Sequence, residues 1–136
     1  MIKKNIIYWN NYYVSKNNND KPSNFAKFIK KKYIKKKTTL LDVGAGDGRD
    51  SFYFLNQAKY IFAIDQSDVV INKNKLKVKS LNLKNIFFKR LPSNKLKTFY
   101  KKGIDIIYAR FFLHAINEAN ENKFLNNIKK YFKHNI

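Results

Sequence analysis

The pattern of apolar and polar residues predicts short strands and amphipathic helices that alternate along most of the chain. Apolar runs predict strands at about 38–43, 60–64, 85–89 and 103–108. Helical spacing of apolar residues predicts helices at about 23–34, 50–57, 67–81, 96–100 and 118–132. The segments between the strands are long enough for parallel crossovers. The pattern therefore predicts an α/β fold in which helices cover both faces of a parallel sheet.

Composition and the amino-terminal segment disfavour several classes of protein. The chain has 136 residues, no cysteine and two distant histidines, which excludes disulfides and argues against a zinc site. The apolar run at 6–9 is too short for a signal peptide, and no segment approaches the ~20 apolar residues of a membrane helix. We therefore expect one cytoplasmic domain over 1–136 that does not enter a membrane. Its parts are an aromatic segment, a loop at 16–21 and a helix within 1–37, followed by a core at 38–136.

The formal net charge of +20 is compatible with binding to nucleic acid or to an anionic membrane surface. Lysine, however, outnumbers arginine 26 to 3, and asparagine, isoleucine, phenylalanine and tyrosine are also abundant. These residue types share A/T-rich codons, so a GC-poor genome explains the excess better than a nucleic-acid function, which often favours arginine. Weak, non-specific binding to polyanions is expected under either explanation.

Three of the four glycines lie in one short loop between the first predicted strand and the helix after it. They are Gly44, Gly46 and Gly48, and glycine there allows positive φ and close approach of the backbone to a ligand. Asp65 ends the next predicted strand, where an acid can accept hydrogen bonds from both hydroxyls of a ribose. The alternative is an ordinary strand–helix turn followed by a surface aspartate. The two features together favour a ligand that contains a ribose.

The segment around this loop is acidic in an otherwise basic chain. Five of the nine acidic residues lie within 42–68, and no lysine lies between Thr38 and Ala58. A pyrophosphate is disfavoured by neighbouring carboxylates, whereas S-adenosyl-L-methionine carries an ammonium, a sulfonium, one carboxylate and no phosphate. The loop therefore suits S-adenosylmethionine better than NAD. Asp50 also has an explanation without a ligand, because an acid in the first turn of a helix is favourable.

Two motifs resemble those of class I S-adenosylmethionine-dependent methyltransferases. LLDVGAGDGRDS at 40–51 is similar to the first motif of that family, and IFAIDQS at 61–67 is similar to the second. YWNNYY at 8–13, PSNFAKF at 22–28 and YARFFLHAI at 108–116 resemble segments of bacterial small-molecule methyltransferases. The resemblance covers most of residues 8–116, and its first motif is specific for the cofactor. No motif is specific for the methyl acceptor.

The resemblance implies roles for individual residues at the cofactor site. Asp42 is expected near the methionine amino group, and Asp65 at the ribose. The loop backbone is expected to cradle the cofactor, with residues 66 and 67 beside the adenine. The sequence departs from the family at 89–92, where Lys-Arg-Leu-Pro replaces an acid that reads the adenine amine. The predicted cofactor-binding residues are Asp42, Gly44, Ala45, Gly46, Gly48, Arg49, Asp50, Asp65, Gln66, Ser67, Leu91 and Arg110.

The acceptor side is predicted from residues that follow the fourth strand and from the aromatic segment. His114 is the candidate general base, although a histidine in such a turn often only hydrogen-bonds locally. The three arginines, at 49, 90 and 110, all follow predicted strands. They could bind an anionic acceptor or the cofactor carboxylate, or instead cap loops and pair with aspartates. The aromatic residues at 8–13 could form a lid or pack on the sheet. The predicted substrate-binding residues are Tyr12, Arg110, Phe111 and His114.

The chain is short for the family that it resembles. The resemblance implies a seven-stranded Rossmann-like sheet in the order 3-2-1-4-5-7-6, whereas the chain stops after the helix that follows its fourth strand. We therefore expect an incomplete sheet in the order 3-2-1-4, with a bare apolar edge at 104–108. A fragment, a truncated gene product, or a subunit whose edge is covered by an oligomer or a partner chain would each fit this expectation.

Three functions stay open from the sequence. The first is methyl transfer from S-adenosylmethionine to a small-molecule acceptor, such as a sugar or an anionic metabolite. The second is an RNA methyltransferase, which the charge permits but no RNA-binding signature supports. The third is a cofactor-binding fragment without catalytic activity of its own. A nicotinamide-dependent enzyme fits the loop less well.

Overall fold

The computed structural model describes residues 2–15, 21–110, 112 and 115–132. Its helices are α1 (Ile2–Ser15), α2 (Asn24–Tyr33), α3 (Arg49–Phe54), α4 (Asp68–Ser80) and α5 (Glu118–Tyr131). Its strands are β1 (Thr39–Val43), β2 (Tyr60–Asp65), β3 (Ile86–Arg90) and β4 (Ile106–Tyr108). A 3₁₀ segment, Ser93–Phe99, lies between β3 and β4. No helix in the described ranges is long and apolar enough to cross a membrane.

The four strands form one parallel sheet in the order β3-β2-β1-β4. The predicted fold class and strand order are therefore confirmed. Because all four strands point the same way, the sheet has an amino end, where every strand begins, and a carboxyl end, where every strand stops. In a sheet of this kind, ligands bind at the carboxyl end. The predicted motif residues follow β1, β2 and β4, so the fold places them together at that end.

Apolar side chains pack on both faces of the sheet, because successive residues of a strand point to opposite faces. β1 is buried along its whole length, as expected for an interior parallel strand. One face is covered by α2, α3 and α4, and its buried core includes Leu40, Phe54, Ile61, Ala63, Val70 and Ile71. The other face is covered by the 3₁₀ segment and α5, and its buried core includes Leu41, Val43, Ile64, Leu96, Phe99 and Phe124.

Polar side chains fix the starts of three helices. Ser23, Ser67 and Asn117 precede α2, α4 and α5, and each side-chain oxygen accepts a hydrogen bond from the backbone N–H three residues later. Such caps satisfy N–H groups that have no partner within the helix, and each typically contributes ~1 kcal/mol. The helix starts near residues 23, 67 and 118 were accordingly recognisable in the sequence.

Two features differ from the sequence expectation. The aromatic segment forms the regular helix α1, which no helical pattern had indicated. The fourth strand is shorter than the predicted 103–108, since β4 begins only at Ile106, and it forms one edge of the sheet, as expected. The strand starts late because the Asp105 carboxylate accepts the Thr39 N–H at 2.8 Å. That side-chain bond takes the backbone donor that a longer β4 would have used.

Candidate functional site

The loop between β1 and α3, residues 44–48 (the glycine loop), has a backbone conformation that requires glycine. The φ angle is +71° at Gly44, +58° at Gly46 and +75° at Gly48. Residues with side chains rarely adopt this left-handed region. A Cβ at Gly48 would also lie only 2.8 Å from the Phe88 ring, so glycine lets the start of α3 pack closely on the sheet.

Hydrogen bonds fix the glycine loop against its surroundings. The first two N–H groups of the loop both donate to the Ile64 carbonyl of β2, at 2.9 and 3.0 Å. The Gly46 N–H donates to Asp65 Oδ2 at 3.0 Å. The Gly46 carbonyl accepts a hydrogen bond from Asn74 Nδ2 of α4 at 2.9 Å. The loop backbone is therefore preorganised by protein groups alone.

Asp65 lies at the carboxyl end of β2, beside the glycine loop. Its Oδ1 accepts the Ser67 N–H at 2.9 Å, and its Oδ2 accepts the Gly46 N–H at 3.0 Å. Burial raises the pKa of Asp65, and these backbone hydrogen bonds oppose the rise. A carboxylate oxygen has two lone pairs, so each oxygen can still accept one hydroxyl of a ligand.

Asp42 is a buried carboxyl near the end of β1. The Ser51 hydroxyl donates to its Oδ2 at 2.6 Å. Burial raises its pKa from 3.8 to about 7; the hydrogen bond from Ser51 opposes this shift, and the charges of neighbouring aspartates add to it. A cation placed against Asp42 would favour the ionised form and lower the pKa again.

Asp50, in the first turn of α3, joins three elements. Its Oδ1 accepts the Ser23 N–H at 2.9 Å, and its Oδ2 accepts the Ser23 hydroxyl at 2.8 Å. The Tyr108 hydroxyl, at the end of β4, donates to the same Oδ2 at 2.7 Å. Arg110 Nη1 lies 3.8 Å from that oxygen. Asp50 therefore links the start of α2 to the carboxyl end of the sheet, and its burial is compensated by these partners.

A cavity of about 410 Å³ opens at the carboxyl end of the sheet, between the glycine loop, α1, the loop after β3 and α5. Its volume falls within the range of small-molecule sites, which span ~300–1,000 Å³. The structure brings most of the predicted site residues to its wall. Those that line the cavity are Tyr12, Asp42, Gly44, Ala45, Gly46, Arg49, Asp50, Asp65, Gln66, Leu91 and Arg110.

The other predicted residues are placed elsewhere or lie outside the description. Gly48 and Ser67 are buried and do not line the cavity; Gly48 precedes α3, and Ser67 caps α4. Arg90 does not line the cavity, and its Nε donates to the Gln66 carbonyl at 3.2 Å. For Arg90, this hydrogen bond agrees with the loop-capping interpretation. Phe111, His114 and the loop at 16–20 lie outside the described residues.

The cavity wall also contains residues that the sequence pattern did not assign to the site. They come from the loop after β3, from the end of β4 and from the first turns of α5. Asn120 and Lys123 are three residues apart, which places them on one face of a helix, but only the packing of α5 shows which face. The additional lining residues include Pro92, Ser93, Asn94, Tyr108, Phe112, Asn120 and Lys123.

The electrostatic character of the cavity is mixed. Carboxylates line the part that borders the glycine loop and the ends of β1 and β2: Asp42, Asp47, Asp50 and Asp65. Cationic side chains come from three other positions: Arg49, Arg110 and Lys123. A ligand that carries both positive and negative groups therefore has complementary charges available in this cavity.

Residues 34–136 match the family described as methyltransferase domain, which is three quarters of the chain. No curated protein matches the sequence significantly. Many solved structures do match. The chain spans only part of the length of each structure compared below, so it corresponds to one portion of those proteins.

Three solved structures illustrate the similarity. An S-adenosylmethionine-dependent methyltransferase from Aquifex aeolicus is 29% identical, with a TM-score of 0.67 over 82% of this chain and 62% of that one. A phosphoethanolamine N-methyltransferase from Haemonchus contortus, in complex with phosphoethanolamine and S-adenosylhomocysteine, is 16% identical, with a TM-score of 0.76 over 95% of this chain and 29% of that one. An rRNA methylase from Streptococcus thermophilus is 15% identical, with a TM-score of 0.60 over 79% of this chain and 61% of that one.

Proposed function

Because the chain belongs to the methyltransferase domain family, whose cofactor is S-adenosylmethionine, we propose that the cavity at the carboxyl end of its sheet binds this cofactor for methyl transfer to a small molecule. The observation that carries the proposal is a carboxylate-lined cavity beside a glycine loop, in a chain whose net charge is +20. A basic protein that concentrates acids at one cavity is complementary to a cationic ligand there.

The residues present fit the cofactor. The glycine loop lets a ligand approach its backbone closely, because its glycines, with φ near +60 to +75°, place no side chain between the backbone and the ligand. Asp42 would bind the methionine ammonium. Asp65, already oriented by two backbone N–H groups, would accept the ribose hydroxyls. Gln66 and Leu91 line the cavity beyond Asp65 and would border the adenine.

Methyl transfer needs little covalent chemistry from the protein. The cofactor, when bound, supplies a methyl group that is already activated on a sulfonium. The chain's own contribution is to orient the two reactants and to exclude water. Trp9 and Tyr12 of α1 line the cavity, which supports a role for α1 as a cover. For the acceptor, His114 remains the proposed general base.

An acceptor with an anionic group is favoured by the cationic side chains of the cavity. Arg49 and Arg110 line it, and a guanidinium can bind a carboxylate or phosphate through two parallel hydrogen bonds. The Asp50 carboxylate, 3.8 Å from Arg110 Nη1, would orient that side chain. Phosphoethanolamine, the small molecule bound by the Haemonchus contortus enzyme, is one ligand of this charge type. We therefore propose a small anionic or zwitterionic acceptor.

The proposal is tested by titration of two matched variants with S-adenosylhomocysteine. Trp9 is the only tryptophan and lines the cavity, so its fluorescence can report binding. Asp65→Asn should weaken binding ~10-fold or more, because a ribose hydroxyl loses a charged acceptor. Glu118→Gln is the control, since Glu118 is an exposed acid in the first turn of α5 and does not line the cavity. Equal affinity of the two variants would remove Asp65 from the site.

A further inference from the structure

Acidic side chains are distributed unevenly over the described part of the chain. All but one of them lie at the carboxyl end of the sheet, in the cavity wall or in the first turns of α4 and α5. The exception is Asp105, which precedes β4 and bonds to the Thr39 N–H. The amino end of the sheet is therefore nearly free of described carboxylates.

Lysines occupy the amino end instead. Every strand is preceded there by at least one exposed lysine: residues 35–37 before β1, Lys59 before β2, Lys84 before β3 and residues 101–102 before β4. A lysine excess in the genome accounts for the number of lysines in the chain, but it does not account for the lack of acids beside them. The amino end is therefore a strongly positive surface.

Three aromatic rings, two of them exposed and one partly buried, lie beside these lysines on the face of the sheet that carries the 3₁₀ segment. Phe62 of β2 and Phe87 of β3 are directly paired in register, and their rings stack with centroids 5.3 Å apart and an interplanar angle of 22°. Tyr60 continues the row, 6.4 Å from Phe87. Phe99 of the 3₁₀ segment packs against Phe62, with ring centroids 5.6 Å apart, and is not in contact with the other two rings in this row. Tyr60 and Phe87 consequently remain 41% and 46% exposed.

Lysine ammonium groups contact this row of rings directly. Lys59 Nζ lies 5.4 Å from the centroid of the Tyr60 ring, and Lys102 Nζ lies 5.8 Å from that of Phe62. Lys89 follows Phe87 by two positions on β3, so it lies on the same face, and it is exposed. Together, Tyr60, Phe62, Phe87, Lys59, Lys89 and Lys102 form what we call the aromatic–lysine surface.

We propose that the aromatic–lysine surface binds single-stranded nucleic acid. Proteins that bind single strands combine aromatic rings, on which bases stack, with cationic groups that follow the phosphates. The part of this face that the 3₁₀ segment and α5 leave exposed, with rings on adjacent strands and lysines at their margins, supplies both. A duplex would make the phosphate contacts alone, because its bases are already stacked on one another. The surface therefore prefers a single strand.

The surface is separate from the cavity. Its two exposed rings lie before the cavity end of the sheet: Tyr60 is five residues before Asp65 on β2, roughly 16 Å at ~3.3 Å per residue, and Phe87 pairs with Phe62, three residues before Asp65. Lys89, which pairs with Ile64, is the member nearest the cavity and does not line it. Nucleic acid on the surface and cofactor in the cavity should therefore bind without competing. This inference does not depend on the proposed enzymatic activity, because it rests on residues that do not line the cavity.

The test measures the affinity of a labelled oligoadenylate of about ten nucleotides, by fluorescence anisotropy, for the full chain and two ring variants. Tyr60→Leu and Phe87→Leu each remove one aromatic ring, but they leave the net charge unchanged and keep an apolar side chain at the position. Each should weaken binding about tenfold. Phe28→Leu is the matched control, since Phe28 is 51% exposed and has Lys32 Nζ 5.5 Å from its ring, but lies on α2. It should leave the affinity unchanged.

Charge and folding are tested in the same series. Lys59→Gln should reduce the slope of log affinity against log salt concentration by ~0.7, whereas the exposed Lys75→Gln on α4 should not. Unchanged thermal melting of the ring variants shows that they are folded. Three results would each overturn the proposal: equal loss of affinity in Phe28→Leu, equally tight binding of a duplex of the same length, or ring-dependent binding to anionic lipid vesicles that displaces the oligonucleotide.

Discussion

Replacement of Gly48 by alanine is the sharpest test of the glycine loop geometry. The residue has φ of +75°, and left-handed backbone costs a non-glycine residue about 1–2 kcal/mol. The new Cβ would lie 2.8 Å from Phe88 Cζ and 3.1 Å from Phe52 Cε2, so two packed rings must move. Forced repacking of this kind costs about 1–3 kcal/mol. We therefore expect Gly48→Ala to lower the free energy of unfolding by about 3 kcal/mol.

Gly103→Ala provides the matched control. Gly103 has a similar φ of +66°, but a Cβ added there would meet no heavy atom within 4 Å beyond its chain neighbours. Only the cost of the left-handed backbone applies, so Gly103→Ala should lower the free energy of unfolding by about 1 kcal/mol. Both variants are measured by urea unfolding followed by far-UV circular dichroism, with equal m-values as the condition for comparison. Equal destabilisation of the two variants would refute the close packing of the loop against Phe52 and Phe88.

Two further predictions concern buried carboxyl groups. Asp50→Asn should lower the free energy of unfolding by about 3 kcal/mol, since it leaves the donors of Ser23 and Tyr108 without a charged acceptor. Tyr108→Phe removes only one of these donors, so it should cost only about 1 kcal/mol in the same unfolding assay. Because burial raises the pKa of Asp42 to about 7, the folded chain binds a proton there that the unfolded chain loses near pH 4. The contribution of the protonated Asp42 carboxyl to the free energy of unfolding should therefore be full below pH ~4 and fall by up to about 4 kcal/mol as the pH rises from there through 7. In Asp42→Asn this pH dependence should disappear, and an unaltered pH dependence in that variant would contradict the prediction.

Local sequence features identified the part of the site that local geometry controls. The glycine loop follows an apolar run and precedes a helix start, so its position between β1 and α3 was evident. Asp65 ends the next strand, and parallel strand ends meet at one end of a sheet. The helix starts near residues 23 and 67 were predicted for the same reason, because a helix start depends on residues within about one turn of the chain.

Long-range packing determined what the sequence did not reveal. Asn120 and Lys123 reach the cavity only because α5 packs across the sheet onto the 3₁₀ segment. The partners of Asp50 lie 27 and 58 positions away in sequence, beyond any local pattern. The aromatic–lysine surface depends on strand register, which pairs Phe62 with Phe87 and thereby turns two ordinary strand residues into neighbours.

Calorimetric titration of the full chain with S-adenosylhomocysteine, alongside NAD under the same conditions, tests the central claim most directly. The account predicts saturable binding of S-adenosylhomocysteine with one site per chain and no comparable binding of NAD, because four carboxylates line the cavity and disfavour a pyrophosphate there. A chain that is folded by circular dichroism and binds no S-adenosylhomocysteine, or that binds NAD more tightly, would contradict it.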